Sequence, residues 1–150
     1  MTPKTRAVIL GPGEGERHHA RGSVMTFKAL ASTTSGRFSL MDRNLPPAGR
    51  MPPAHRHADC EEAFLVLEGL VTFILDGDER TEGTGTFVLI AAGTAHTFGN
   101  RSDLPSRVLV LHAPAMDRYF TELELLWAEP TPPSVEEERA LMRRHGMEPA

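Results

Sequence analysis

Residues 49–69, GRMPPAHRHADCEEAFLVLEG, place two histidines and two carboxylates directly before a strand pattern. The prolines of this stretch exclude a helix and suit an extended, turning segment. His55 and His57 are two residues apart, so in an extended chain both imidazoles project from the same face. The run EEAFLVLE is apolar on both of its parities, which predicts a strand covered on both sides. The stretch therefore predicts a buried strand with a pair of imidazoles at its entrance.

A second stretch, residues 85–100, GTFVLIAAGTAHTFGN, supplies a third histidine. His96 begins a separate strand, which antiparallel pairing could place opposite the first two histidines. A divalent transition metal takes about three or four nitrogen or oxygen ligands from rigid elements. Glu61 and Glu62 could each supply the carboxylate, and local parity does not choose between them because the turn before them resets the register. The two stretches together predict a metal site.

The remaining strand signals predict a mainly β fold. SVMTFKALA and GRFSLMDRN read as strands, LVTFIL and DERTEG as a hairpin around Asp76 and Gly77, and SRVLVLHA as a further strand. About eight short strands at regular spacing are typical of a sandwich or barrel of antiparallel sheets.

The two ends of the chain differ from this pattern. Residues 1–22 are rich in glycine, proline, arginine and histidine and are predicted to form a loop or arm. After Pro114 the apolar residues fall at helical spacing, and a second helix is predicted from Ser134, with a capping box to Glu137 and a stop at Gly146. We therefore expect an N-terminal arm over residues 1–22, a β-barrel over residues 23–113 and a C-terminal helical segment over residues 114–150 that packs on the barrel or on a dimer partner.

Composition narrows the class of protein. The 150 residues, 40% of them hydrophobic, suit one domain with a single core. A net charge of −4 argues against a nucleic-acid partner. The single cysteine, Cys60, allows no intramolecular disulfide, which fits the cytoplasm. The apolar run at residues 7–10 is too short for a signal peptide or a membrane span, so we expect no membrane partner.

The spacing of the two stretches resembles the two motifs of the cupin superfamily. His55, His57 and Glu62 lie between Gly49 and Gly69 as in the first motif, and His96 follows Gly93 as in the second. The resemblance implies a cupin double-stranded β-helix, an antiparallel jelly-roll barrel, with C-terminal helices. It implies an interior metal held by His55, His57, Glu62 and His96. It also selects Glu62 over Glu61, because six residues separate the family's glutamate from the closing glycine. Ala91, where the family usually has proline, departs from the pattern in a turn.

The run from GEGE through MTFKALA, FSLMD, PPAHRH, EEAFLVLEG and GTAHTFGN resembles small single-domain bacterial cupins described as quercetin-2,3-dioxygenase-like. This resemblance implies a metal-dependent dioxygenase acting on a small aromatic, flavonol-like or polyketide-like compound, with Glu62 as both ligand and catalytic base. The ion is one divalent transition metal per chain, among Fe, Mn, Ni, Zn, Co and Cu. The habit of the family and the amphipathic tail predict a homodimer. The alternatives are a metal-dependent cyclase or isomerase of a polyketide or sugar-like substrate, and a non-enzymatic binder of small ligands.

Several further residues have alternative interpretations. Phe64, Val66 and Phe98 share the parity of Glu62 and His96, so they are candidates for a substrate pocket, although each taken alone is also typical of core. Cys60 could touch the metal or gate the entrance of the site, but it is interpreted as a packing residue, and His112 is interpreted as a satisfied histidine of the barrel. Tyr119 and Trp127 are interpreted as packing residues that could also lie at a dimer contact. The adjacent His18 and His19 point to opposite sides of an extended chain, which argues against shared metal ligation.

Overall fold

The alternating apolar residues form two antiparallel sheets in the computed structural model, which describes residues 7–150. In chain order the strands are β1 (Glu16–Ala20), β2 (Ser23–Ala29), β3 (Ser39–Leu45), β4 (His55–His57), β5 (Glu61–Glu68), β6 (Val71–Leu75), β7 (Asp78–Glu82), β8 (Phe87–Ile90), β9 (His96–Gly99), β10 (Ser106–Ala113) and β11 (Met147–Pro149). The helices are α1 (Ala31–Thr34), α2 (Asp117–Trp127) and α3 (Val135–Arg144).

One sheet has the strand order β1-β2-β3-β10-β5-β8, and the other has the order β11-β4-β9-β6-β7. Alternate side chains of each strand face the space between the sheets, as the period of a strand requires. Phe64 and Val110 of the first sheet and Phe73 and Phe98 of the second are buried there in one core. The predicted mainly β jelly-roll architecture with C-terminal helices is therefore confirmed.

The hairpin between β6 and β7 turns where the sequence predicts. Asp76 and Gly77 have φ angles of 47° and 88°, the positive values that a tight two-residue hairpin turn needs. The two strands pair from Val71 opposite Glu82 to Leu75 opposite Asp78. This turn fixes the register of the edge of the second sheet.

The C-terminal helices also form where the periodicity predicts them. The Ser134 hydroxyl accepts a hydrogen bond from the Glu137 N–H at 3.1 Å, which caps α3. Gly146 follows α3 with φ of 76°, a left-handed value that glycine adopts without strain. Across residues 7–150, no helix is both long and apolar enough to span a membrane.

The apolar stripe of α2 is used within the chain. Tyr119, Phe120 and Leu123 are buried, and the Trp127 Nε1–H donates to Oε1 of Glu138 on α3 at 2.8 Å. The helix thus packs on its own barrel and on α3. The homodimer that this stripe suggested stays a prediction.

The loop predicted for residues 1–22 is wrong for Glu16–Ala20, which form β1 and pair antiparallel with β2. β1 is the edge strand of its sheet, and the side chains on one of its faces are exposed to solvent, which explains its polar sequence. On the covered face, His18 Nδ1 lies 3.1 Å from Oε1 of Glu124 on α2. Residues 1–6 of the predicted arm lie outside the described residues.

The last strand, β11, was not predicted. Its three residues pair with β4, with Met147 opposite His57 and Pro149 opposite His55. Three residues are too few to show a strand periodicity. The segment becomes a strand only because it pairs with β4. The pairing brings the C-terminal end of the chain onto the strand that carries two of the candidate ligands.

Candidate metal centre

Three strands and the register between them bring the four predicted ligands together. His55 and His57 lie on β4, Glu62 on β5 and His96 on β9. His55 stands directly opposite His96 in the antiparallel pair. All four side chains are buried, and Glu62 is 3% exposed. The neighbouring Glu61 is exposed instead, because successive side chains of a strand face opposite sides.

The four side chains form one compact cluster. Each offers one nitrogen or oxygen atom, and these atoms all lie within 4.8 Å of one another. Oε2 of Glu62 lies 3.1 Å from Nε2 of His57 and 2.8 Å from Nε2 of His96. The carboxylate therefore sits among the imidazoles.

Backbone carbonyls hold two of the imidazoles in a metal-binding orientation. Nδ1 of His55 lies 2.8 Å from the Pro53 carbonyl oxygen, and Nδ1 of His96 lies 2.9 Å from the Thr94 carbonyl oxygen. A carbonyl oxygen can only accept, so each Nδ1 carries a proton and donates it. The Nε2 lone pairs are then left to point into the cluster, an arrangement found around metal-bound histidines.

This arrangement fits a cation. When its Nδ1–H donates to the Thr94 carbonyl, a neutral His96 would present an Nε2 lone pair to the carboxylate of Glu62. Two acceptors at such a short distance repel one another unless a proton or a metal ion lies with them. Three imidazoles and one carboxylate suit divalent Fe, Mn, Ni, Zn, Co or Cu. The four residues could therefore hold one such ion.

The electrostatic environment favours the ligand forms of three of these four side chains. Burial lowers the pKa of His55 to about 3, with the nearby His96 as the next cause. Burial also lowers the pKa of His57, although Glu62 opposes it. Burial by itself would raise the pKa of Glu62, but the imidazoles of His112, His57 and His96 outweigh it and hold that pKa well below its usual range. Neutral imidazoles and an ionised carboxylate are the forms that bind metals. His96 differs, because burial lowers its pKa but Glu62 outweighs burial and raises it, so a metal ion would compete with a proton for its Nε2.

A fifth residue, His112 on β10, also belongs to the site. Its Nε2 lies 3.2 Å from Oε1 of Glu62, and His112 stands opposite Glu62 in the pair of β10 with β5. From its sequence, His112 is predicted to be only a satisfied histidine of the barrel. The signal that could have found it is parity, since Val108, Val110 and His112 are the inward-facing positions of β10.

The predicted pocket residues separate into two groups. Phe98 lines the cavity beside the cluster, together with His55, His57 and Glu62. Phe64 and Val66 are fully buried core residues that are not part of the cavity wall. Phe64 packs on Phe98 with 4.8 Å between ring centroids, so it supports the cavity from behind. Strand parity identified the side chains that face the interior, but it did not show which of them line the cavity.

Two other candidates lie outside the cluster. The Cys60 thiol donates to the carbonyls of Glu61 at 3.3 Å and Pro114 at 3.6 Å, and burial raises its pKa to about 11. A thiol that stays protonated is a poor ligand, in agreement with a packing role. His18 is buried beside Glu124 under α2, and His19 is exposed, so this pair does not join the cluster.

The fold and the site define a β-barrel protein with a buried cluster of three histidines and a glutamate. Residues 41–112 match the family model described as Cupin domain. This part of the chain belongs to the cupin family and includes all four residues of the cluster.

One curated relative shares a substantial part of the sequence. The chain is 33% identical over 96 residues to quercetin 2,3-dioxygenase of Bacillus subtilis (strain 168), a stretch that covers 63% of this chain and 28% of that protein. The chain therefore spans less than a third of the length of this relative.

Solved structures show the same fold. A polyketide cyclase from Streptomyces resistomycificus matches with a TM-score of 0.62 and 22% identity, over 71% of this chain and 79% of that one. A cupin-superfamily sugar phosphate isomerase from Silicibacter pomeroyi DSS-3 matches with a TM-score of 0.60 and 23% identity, over 71% of this chain and 75% of that one. At these identities the likeness concerns the fold alone.

Proposed function

We propose that the chain is an enzyme that depends on one divalent transition metal ion held by His55, His57, Glu62 and His96. The observation that carries this proposal is the buried cluster itself, whose four ligand atoms lie within 4.8 Å of one another. Surface carboxylates and histidines often cluster without function. A buried carboxylate that faces histidine side chains needs a compensating positive charge, which a metal ion would supply.

For the reaction, we propose a dioxygenase that acts on a small aromatic, flavonol-like or polyketide-like compound. Sequence similarity to the Bacillus subtilis quercetin 2,3-dioxygenase supports this choice. A bound metal ion would supply a Lewis acid for the substrate oxygens and, if redox-capable, a path for electrons to O2. Both atoms of O2 would enter the substrate, so no separate reductant is consumed.

The residues of the chain itself orient the substrate and handle its proton. Glu62 is ionised, so its carboxylate can accept a proton from a substrate hydroxyl placed at the cluster. His112 faces the other carboxylate oxygen and holds Glu62 in position. Phe98 and Phe120 line the cavity and keep water away from the reacting group.

Substrate binding requires part of the cavity wall to move. The cavity has a volume of about 20 Å³, which is enough for about one water molecule. Met116, Met142 and Met147 form part of the wall on the side of the C-terminal helices. Methionine is flexible and adapts to the shape of its neighbours, so these side chains are the ones that we expect to yield to a substrate.

The second candidate is a metal-dependent cyclase or isomerase, in which the ion polarises a ketone and no O2 is consumed. The polar groups in the otherwise largely apolar wall of the cavity favour it, because Arg43 and Tyr119 could bind oxygen atoms of a polar substrate. A cupin that binds a small ligand without turnover is the third outcome to be tested.

Metal analysis followed by O2 uptake tests the proposal. Protein purified without chelator should contain about one equivalent of metal, whereas Glu62→Gln should lose most of it. Glu61→Gln is the matched control, because it makes the same change at an exposed neighbour. Less than a tenth of an equivalent in wild type, together with no difference between these variants, would contradict the metal site.

The Fe, Mn, Ni and Zn forms should then be compared with a flavonol and with a diketone. O2 uptake restricted to the redox-capable or nickel forms supports the dioxygenase. Turnover by the Zn form without O2 supports the cyclase or isomerase. Tight binding without turnover by any form supports the binder.

A further inference from the structure

The cavity wall that faces the metal cluster carries a buried guanidinium. Arg43 lies on β3, is 2% exposed, and lines the same cavity as His55 and Glu62. Its guanidinium carbon lies 5.2 Å from the centroid of the Phe98 ring. Within the described part of the chain, no carboxylate forms an ion pair with Arg43, and its Nε–H has no hydrogen-bond partner.

The charge of Arg43 is costly where it stands. Burial lowers the pKa of Arg43 to about 9, and the positive charge of Arg21 acts in the same direction. The side chain is still protonated at neutral pH. One cation–π contact with Phe98 offsets only part of the loss of hydration of a buried ion. A ligand anion would supply the missing partner.

Two further polar groups of the wall have no partner beyond each other. Nη2 of Arg21 and the hydroxyl of Tyr119 lie on neighbouring side chains, and neither makes a hydrogen bond to any other group of residues 7–150. Both residues are buried and line the cavity. The Arg21 guanidinium is near enough to Tyr119 to act on its pKa, although burial dominates and raises that pKa. Unsatisfied donors that border a cavity are what a bound polar ligand would pair with.

The nearby carboxylate of Glu138 on α3 is already fully used. It accepts from Arg21 Nε at 2.8 Å, from Arg50 Nη2 at 2.7 Å and from Trp127 Nε1 at 2.8 Å. Glu138 therefore forms ion pairs with Arg21 and with the partly exposed Arg50, and acts on Arg43 only at longer range. It also fixes Arg21 so that its Nη2 edge is left for the cavity.

The balance of charge in the cavity points to an anionic ligand. A divalent ion carries twice the charge of Glu62, so the loaded cluster keeps one positive charge. Arg43 adds a second, while the buried Arg21 shares the single negative charge of Glu138 with the partly exposed Arg50. A substrate with an anionic oxygen at the cluster and a carboxylate at Arg43 would match both.

We propose that Arg43, Arg21 and Tyr119 form an anion subsite beside the metal cluster, and that the substrate is a small organic acid whose carboxylate binds there. Guanidinium groups match the planar fork of a carboxylate and form charge-assisted hydrogen bonds with it. The inference rests on the proposed function for the metal cluster, and it narrows the substrate class to compounds that carry a carboxylate.

Calorimetric titration of the Zn-loaded protein with malonate tests the subsite, with neutral malonamide of similar shape as the reference. We expect saturable binding of malonate and binding of malonamide that is at least about tenfold weaker. Arg43→Gln should weaken malonate binding by roughly ten- to a hundredfold with the zinc content unchanged. Arg43→Lys should keep an intermediate affinity, and Tyr119→Phe should lose part of it.

The matched control is Arg56→Gln. Arg56 lies on β4 between His55 and His57 but points to the exposed face, so the same loss of charge should leave malonate affinity unchanged. Equal malonate affinity in wild type and in Arg43→Gln would overturn the subsite. Tighter binding of inorganic phosphate than of malonate would overturn the carboxylate class.

A second measurement needs neither metal nor activity. Malonate should raise the melting temperature of metal-free wild type but not that of metal-free Arg43→Met. Arg43→Met should melt higher than wild type without ligand, because it removes a buried charge. A lower melting temperature for Arg43→Met, with an equal malonate shift in both proteins, would contradict the inference.

The two proposals fail in different ways. Normal zinc content, with malonate binding that does not change on replacing Arg43, refutes the subsite alone. Absent zinc binding, with a malonate-induced melting shift that requires Arg43, refutes the metal proposal alone.

Discussion

Nε2 of His112 lies 3.2 Å from Oε1 of Glu62. His112 is on β10, which pairs directly with β5, the strand of Glu62. The other oxygen of the same carboxylate, Oε2, faces His57 and His96. The two oxygens of Glu62 are thus divided between the cluster and a supporting histidine. A ligand whose second oxygen is held in this way keeps its orientation whether or not an ion is bound.

Replacing His112 should weaken metal binding without unfolding the barrel. His112→Phe keeps a ring of similar size next to Phe120, whose ring centroid lies 5.6 Å away, but it releases Oε1 of Glu62. We expect the zinc affinity to fall by about 10- to 100-fold in a chelator competition. His18→Phe is the matched control, since His18 is a buried histidine beside a carboxylate outside the cluster. Equal zinc affinities of the two variants would refute a supporting role for His112.

Removing a proposed ligand should abolish both metal binding and the stability that metal confers. In wild type, zinc should raise the melting temperature and a chelator should lower it again, because an ion that binds only the folded state stabilises that state. His96→Ala should show neither shift and should contain little metal by elemental analysis. His19→Ala, a change at an exposed histidine, should behave as wild type. Retention of a full equivalent of zinc by His96→Ala would exclude His96 as a ligand.

Glu138 should be important for stability, because it is fully buried and accepts from Arg21, Arg50 and Trp127. Glu138→Ala leaves two guanidinium groups without their carboxylate. We expect a loss of about 3–5 kcal/mol in the free energy of unfolding, measured in urea. Glu136→Ala on the same helix removes only an exposed pair with Arg139 and should cost less than about 1 kcal/mol. Similar losses in the free energy of unfolding for both variants would contradict a larger contribution from the buried ion pairs of Glu138.

The contact between α2 and β1 should depend on pH. Burial would raise the pKa of Glu124, but the hydrogen bonds with His18 and with the His19 N–H outweigh it and lower that pKa below its ordinary value of 4.5. A carboxyl group with a lower pKa in the folded state stabilises that state above its unfolded pKa, and this contribution disappears as the pH falls through the folded pKa.

Glu124→Gln should therefore be less stable than wild type at pH 7, by less than about 1 kcal/mol because the carboxylate is partly exposed. The difference should shrink below about pH 4. Urea unfolding at several pH values measures it, with Glu129→Gln, at an exposed position, as the control. A difference that grows on acidification would contradict the assignment.

Local sequence signals were sufficient for the elements that carry their own periodicity or turn chemistry. The hairpin at Asp76 and Gly77 and the capped helix α3 form as predicted. β1 and β11 were missed, since their short polar or mixed sequences become strands only by pairing with β2 and β4. Edge strands take their structure from a neighbour, and the sequence of the strand itself does not record that neighbour.

The sequence alone determined that two histidines share one face of a strand and that His96 begins another, because strand parity is a local property. The tertiary structure decided which side chains meet. The register of β5 against β10 buries Glu62 opposite His112 and leaves Glu61 exposed. The inward face of β3 brings Arg43 to the cavity from a part of the chain with no recognisable motif. The spacing of the two motifs predicted the four ligands through the family resemblance. The positions of His112 and Arg43 depend on long-range pairing between strands, which no local pattern of their own sequences records.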